Sequence, residues 1–278
     1  MFDIGVNFSC KQFQAYRKEY LDHAYNEWIE GIVCISNSRP EWDSNMKWIE
    51  IYKDHAINLY MTIGIHPHSA KNATEQTFKD MIDYLKNPLV VAVGECGLDY
   101  NRMFSPKEKQ IEVFKRHIEL AINVQKPLYL HDREATKDML HILSEYKELT
   151  GVVHCFTGSK ETLKEYLKMG FYIGITGWIC DTTRNKDLVE AIKELPLDRL
   201  LLETDSPWLI PPTYAKQFKT RRNESDSLPH IVLSISQYTG HTPKDIIEAS
   251  NINTRMLFKL TTDIKAHKGA HIMNLNES

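Results

Sequence analysis

Four residues with metal-binding side chains each follow directly on a short apolar run: Glu95 in VVAVGECGLD, His131 in PLYLHDR, His154 in GVVHCFTG and Asp205 in RLLLETDSPW. If the runs are parallel strands of one sheet, their tips bring two carboxylates and two imidazoles to a single rim. That rim is where a β/α barrel builds its active site. Each residue alone has a plainer reading, as a helix cap or a hydrogen-bonded rim side chain. Four at four strand tips point instead to one metal centre and to hydrolysis.

Eight apolar or β-branched runs occupy residues 2–6, 31–36, 59–65, 89–94, 127–130, 151–154, 171–176 and 200–204. Segments with helical spacing lie between them. Ser105-Pro106-Lys107-Glu108 reads as an N-cap, a first-turn proline and an acid, and Ile111, Phe114, Ile118 and Ile122 continue as one apolar face. Ser9 with Gln12 suggests a weaker capping box. Ser159 opens a helix carrying Leu163, Tyr166 and Leu167, and Thr242-Pro243-Lys244-Asp245 caps another near the C-terminus.

Alternating strands and helices imply a parallel sheet. Eight strands fit an α/β fold closed into a (β/α)8 TIM barrel better than an open sheet. No GxGxxG or GxxxxGK[ST] follows any run, which argues against dinucleotide and P-loop folds. The expected organisation is a single domain over residues 1–260 with a polar tail over 261–278. Residues 210–228, rich in proline and basic side chains, read as an irregular loop over the barrel mouth.

With 278 residues, 42% hydrophobic and 26% charged, and a net charge of −3, the chain has the balance of an ordinary globular protein and no global attraction for phosphate. Any nucleic-acid contact must therefore be a local patch. No run is long enough to span a membrane, and MFDIGVNF has neither the basic start nor the apolar stretch of a secretory leader. A cytoplasmic protein is expected, or a nuclear one if the source is eukaryotic. Cys10, Cys34, Cys96, Cys155 and Cys180 are odd in number and lack CxxC spacing, as reduced thiols would be. Strand alternation is expected to turn Cys96 and Cys155 away from a mouth that Glu95 and His154 face.

Glu95, His131 and His154 would supply three ligands to a divalent ion and leave a position for water, while Asp205 would orient that water and accept its proton. Imidazoles with carboxylates suit Zn, Mn, Fe or Co better than Ca, and cellular supply keeps Mg in the set. His66 and His68 follow the third run in GIHPHS, and His66, at the strand tip, is the better rim donor. Lys216, Lys219, Arg221 and Arg222 stand beside Tyr214 and Phe218, a mixture suited to holding phosphates and stacking bases. Trp178 and Trp208 follow the seventh and eighth runs and are candidates to face the mouth.

The motifs FDIGVN, GIHPH, VVAVGECGLDYNR, LYLHDR, GVVHCFTGS, YIGITGW, LLLETDSPWL and RRNE, in this order over residues 2–260, resemble those of the TatD deoxyribonucleases. The resemblance implies a metal-dependent barrel hydrolase of the amidohydrolase-like superfamily that cleaves phosphodiester bonds in DNA. It further implies 3′ to 5′ exonuclease action on single-stranded DNA, with RNA as a second substrate. Glu95, His131 and His154 fall on the family's metal ligands and Asp205 on its eighth-strand aspartate, so Glu95 and Asp205 become the catalytic carboxylates. Arg222 and Asn223 of RRNE, with Arg133, His66 and Trp178, become the substrate contacts. Mg2+ is the implied cofactor, with Mn2+ and Zn2+ as alternatives. The expected partner is single-stranded nucleic acid and not a membrane, and a monomer is expected.

Many relatives carry His-x-His in the first strand, where this chain has Gly5 and Asn7. Glycine offers no ligand and an amide binds transition metals poorly. One firmly bound ion and a weaker, substrate-assisted second are therefore expected. Two alternatives stay open: a barrel hydrolase of another ester or amide, and a scaffold without catalysis.

Overall fold

The structure, a computed structural model, describes residues 1–260; the polar tail expected over 261–278 lies outside the described residues. Eight strands pair in parallel in chain order: β1 (Phe2–Val6), β2 (Gly31–Cys34), β3 (Asn58–Ile63), β4 (Val90–Asp99), β5 (Leu128–Arg133), β6 (Gly151–Val153), β7 (Tyr172–Ile175) and β8 (Leu200–Leu202). The chain beyond β8 returns to β1 through a parallel bridge between Val6 and Ser206, and the Asp205 N–H donates to Gly5 O at 2.8 Å. The sheet is thus a (β/α)8 barrel.

Helices α1 (Arg17–Asn26), α2 (Arg39–Ile51), α3 (Glu75–Leu85), α4 (Lys107–Val124), α5 (Thr136–Ser144), α6 (Lys160–Lys168) and α7 (Lys186–Ile192) fill the connections between strands. After β8 come α8 (Pro212–Phe218), α9 (Leu228–Thr239) and α10 (Pro243–Phe258). Among the described residues no helix is long and apolar enough to cross a membrane.

Strand alternation divides the apolar residues into two cores. Ile4, Val33, Tyr129, Val152 and Leu201 fill the inside of the barrel, while Ile32, Leu128, Leu130 and Leu202 join the layer between strands and helices. Full burial of one such aliphatic side chain stabilises the fold by about 1.5–3 kcal/mol. The inner plug also sets the floor of the site. Two residues beyond Tyr129, Val152 and Leu201, the same inward positions carry His131, His154 and Glu203.

Ser159 and Thr242 cap as expected, accepting from the N–H groups of Thr162 and Asp245. Ser105 does not. Its helix starts at Lys107, and the Ser105 hydroxyl donates to His68 O at 2.9 Å and accepts from Lys71 N–H at 3.0 Å. That serine ties down the turn holding His66 and His68. Ser9 and Gln12 form no cap; a single 3-10 turn, Lys11–Phe13, stands there without a side-chain bond at its start. Residues 210–228 are not one irregular loop, because Pro211 and Pro212 preset the backbone for the short helix α8.

Candidate active site

Glu95, from β4, is the hub of the mouth. The His131 Nδ1–H donates to Glu95 Oε1 at 2.8 Å, while the Nε2 atoms of His66 and His154 lie 3.5 and 3.8 Å from the same oxygen. Burial alone would raise the Glu95 pKa, but the charges of His66, His131 and His154 outweigh it and hold this carboxyl well below the usual range. Asp99, four residues on, lies against His131 Nε2 at 3.3 Å and His68 Nε2 at 2.7 Å. Burial works against charge on His131 too, yet Asp99 and Glu95 lift its pKa to about 9.

His154 is oriented from behind. Its Nδ1–H donates to Glu203 Oε2 at 2.7 Å, and the Tyr129 hydroxyl donates to the same oxygen at 2.8 Å. Burial opposes its charge, but the Glu203 carboxylate, helped by Glu95 and Asp205, holds its pKa up to about 10. Glu203 needs two glycines. A Cβ on Gly5 would lie 2.6 Å from Glu203 Oε2, and one on Gly174 would lie 2.4 Å from Oε1. The first-strand position where relatives carry histidine is therefore filled here by a carboxylate from beyond β8.

Asp205 stands across the mouth in the left-handed backbone region, at φ 56. Burial, reinforced by Glu95 and Glu203 and opposed by His154, pushes its carboxyl up to about 7. The other first-strand substitution has a use here, since Asn7 Nδ2 donates to Asp205 Oδ1 at 2.9 Å.

Four carboxylates (Glu95, Asp99, Glu203, Asp205) and four imidazoles (His66, His68, His131, His154) meet here, a donor set that suits a divalent cation. His66, Glu95 and His131 each offer a ligand atom within 4.8 Å of the others, as do His154, Cys155 and Asp205. Tautomers sort these donors. His66 Nδ1 accepts from His68 N–H at 3.1 Å, so the neutral ring carries its proton on Nε2 and serves as a donor more readily than as a ligand. His154 is the reverse, because Nδ1 holds the proton for Glu203 and leaves the Nε2 lone pair for an ion. A divalent ion would displace the extra protons that the imidazoles carry without it.

Cys155 departs from expectation. Cys96 does turn outward into the core, but β6 ends at Val153 and Cys155 takes a left-handed backbone, φ 47, which breaks the alternation. Its sulfur joins His154 and Asp205 at the mouth.

The expected substrate contacts scatter. Arg133 and Trp178 line one cavity of about 340 Å³ with Phe156, Thr157 and Thr162. Arg222 lines another, of about 450 Å³, where it pairs with Glu224 at 3.0 Å and lies 3.8 Å over the Tyr16 ring. Asn223, expected at the substrate end of the site, is fully buried. Its Nδ2 donates to Thr204 O and Trp208 O, and its Oδ1 accepts from Ser227 and Glu224, so it staples the loop after β8 and has no free group. Tyr214 is likewise taken out of base stacking, being buried with its hydroxyl donating to Asp226 at 2.6 Å. Phe218 and Trp208 are exposed. A third donor group, His23, Glu224 and Asp226, lies in the Arg222 cavity with both carboxylates already bonded to Arg222 and Tyr214.

Sequence reasoning missed Glu203, Tyr129 and Asp99, ranked His68 behind His66, and turned Cys155 away from the mouth. Period two would have found the first two, since Glu203 precedes Asp205, and Tyr129 precedes His131, by one inward step. The same count carries Glu95 to Asp99.

A family model described as TatD related DNase matches residues 2–259. The 3′-5′ ssDNA/RNA exonuclease TatD of Erwinia amylovora is 38% identical over 262 residues, covering 94% of this chain and 100% of that protein. A crystal structure of a TatD family hydrolase from Entamoeba histolytica aligns with a TM-score of 0.84 at 25% identity, covering 93% and 97% of the two chains. YJJV, a TatD homologue from Escherichia coli K12, shares the fold with a TM-score of 0.85 at 23% identity, over 94% of this chain and 98% of its own.

Proposed function

The chain belongs to the TatD-related DNase family, and from that premise we propose that it is a metal-dependent nuclease removing nucleotides from the 3′ end of single-stranded DNA, with RNA as a second substrate. The observation that carries this reading is the convergence of Glu95, His131, His154 and Asp205 on one barrel rim. A relative named as a 3′-5′ ssDNA/RNA exonuclease, matched over its whole length, supplies the substrate class.

Glu95, His131 and His154 would hold the ion, with Asp205 facing them. A divalent ion bound there supplies Lewis acidity and lowers the pKa of a water. The chain's own residues then do the remaining work. Asp205, lifted to about 7 and oriented by Asn7, takes the proton of the attacking water. His66, with Nδ1 occupied by a backbone amide, donates from Nε2 to a phosphate oxygen. Glu203 and Tyr129 keep His154 in the tautomer that presents Nε2 to the mouth.

The cavity shared by Arg133 and Trp178 receives the neighbouring nucleotide, the guanidinium at its phosphate and the indole at its base. Stacking of this kind is worth about 1–3 kcal/mol per base and is open only to an unpaired strand. Arg222 ranks behind Arg133 because Glu224 already neutralises it. The family resemblance favours Mg2+, and the imidazole donors add Mn2+ and Zn2+ to the set to be assayed. A cytoplasmic monomer completes the reading, in keeping with five unpaired thiols.

The test is digestion of 5′-labelled single strands with free or blocked 3′ ends, beside blunt duplex and circular single strands. The free-ended strand should shorten stepwise and fastest. Equal rates on circular, blocked and free-ended strands would replace the exonuclease reading with an endonuclease one.

A further inference from the structure

We propose that the turn between β4 and α4 is a platform for the substrate strand, on which Phe104 stacks the penultimate base and Arg102 holds a phosphate farther out. The inference rests on the nuclease reading, and assigns to this chain the contacts on the 5′ side of the scissile phosphate.

A row of rings leads from the hub of the mouth to the surface. The centroids of His131 and His66 lie 4.5 Å apart, those of His66 and His68 4.2 Å, and those of His68 and Phe104 4.8 Å. Phe104 is thus the next ring out from the histidines around Glu95. Its edge contact with His68, at 77°, covers one side of it, yet 53% of the residue stays exposed, and Met103 beside it is 45% exposed. A large apolar ring left in water at the rim of a catalytic mouth is a surface for a ligand.

The turn is built to hold that ring in place. Asp99 Oδ1 accepts from Asn101 N–H at 3.0 Å and from Arg102 N–H at 2.9 Å, and Met103 turns the chain through the left-handed region at φ 49. Buried Gln110 closes the loop, donating to Asp99 O at 3.1 Å and Ser105 O at 2.9 Å while accepting from Asp99 N–H at 2.9 Å. The other oxygen of Asp99 faces His68 and His131, so one carboxylate fixes both the platform and an imidazole of the hub. A ring fixed in advance loses little freedom when a base settles on it.

Charge points the same way. On the helix behind the turn, Lys107 pairs with Asp138 and Arg116 with Glu75, whereas Arg102 is exposed and forms no ion pair among the described residues. A free guanidinium two residues from a stacking ring matches the alternation of phosphate and base along an unpaired strand. Strand direction follows from shape. The cavity of Arg133 and Trp178 takes the terminal nucleotide, and the platform, at the outer rim, leaves the uncut strand a path to solvent.

The test measures the first cut on 5′-labelled single strands that are intact, abasic at the terminal nucleotide or abasic at the penultimate one. Phe104→Ala should raise KM on the intact strand about 10-fold, with the loss in KM rather than kcat, and Phe104→Tyr should restore it. Removing the penultimate base should raise the wild-type KM to the same extent and leave Phe104→Ala unmoved, while removing the terminal base should affect both proteins alike. Arg102→Ala should lower the slope of log KM against log salt by about 0.7. An unchanged KM in Phe104→Ala, or a penultimate-base effect that survives in that variant, would overturn the proposal and leave the nuclease standing. A wild type that cuts no strand would instead overturn the nuclease reading, and the platform with it.

Discussion

His154 at the barrel mouth and His117 on the helix α4 are both buried, yet they end in opposite charge states. His117 donates from Nδ1 to Val113 O at 2.7 Å and accepts at Nε2 from Ile65 N–H at 3.0 Å. One donor and one acceptor satisfy a neutral ring, and burial lowers its pKa to about 4. His154 faces Glu203, Glu95 and Asp205, which overcome the same burial and hold it at about 10. What differs is the partner. A histidine saturated by backbone groups is scaffold, whereas one surrounded by carboxylates with a free nitrogen can bind a cation and exchange its proton.

The largest effect expected from that contrast is on turnover. Alanine at Glu95, His131 or His154 vacates a coordination position and should each lower kcat by about 10²-fold or more at limiting metal. Circular dichroism should remain that of the wild type, because the inner plug lies below these residues. Alanine at His117 should do the reverse, leaving turnover per folded molecule intact. Near wild-type rates in two of the three mouth variants would erase the distinction.

Asp205→Asn sharpens the division within the mouth. The amide keeps the size of the side chain but cannot take a proton, so the rate should drop by about 10²-fold while the metal content of the Glu95 site is kept. If metal content and rate fall together, Asp205 acts mainly as a ligand.

The smallest effect is on stability, and it belongs to His117. Removing its ring strands the Ile65 N–H in the core and opens a cavity, at a cost of about 2–3 kcal/mol in urea unfolding. Its pH dependence has a definite sign. The folded-state pKa of about 4 lies below the unfolded value, so the unfolded chain binds the proton more readily. The stabilising contribution is full above pH about 6.5 and is lost as pH falls toward 4, by up to about 3 kcal/mol at 1.36 kcal/mol per pKa unit. His117→Gln should flatten the stability profile between those limits. An unchanged slope would show that other groups carry it.

The barrel was legible because both of its periodicities are written in residue type: apolar runs end in polar tips, and helices separate them. The four tip residues could be named for the same reason. Counting back one inward step from Asp205 reaches Glu203, but that count gives no partner, and the imidazole it bonds lies 49 residues earlier in the chain. Cys155 was placed on the wrong face because alternation assumes extended backbone, and a single left-handed residue cancels that assumption. Asn223 shows a different limit. Its motif placed it at the mouth, but only the packing reveals that both ends of its amide are consumed by the loop it anchors.

The central claim is that the strand-tip donors work as one metal-dependent unit on nucleic acid. Its most direct test is to assay chelator-stripped protein on a 5′-labelled single strand, before and after metal is returned, in wild type and in Glu95→Ala. Stripped protein should release nothing, and wild-type activity should return in proportion to the Mg2+, Mn2+ or Zn2+ added. Glu95→Ala should stay silent at the metal level that restores wild type. Stripped protein cutting at the unstripped rate, or Glu95→Ala fully restored by stoichiometric metal, would contradict the account.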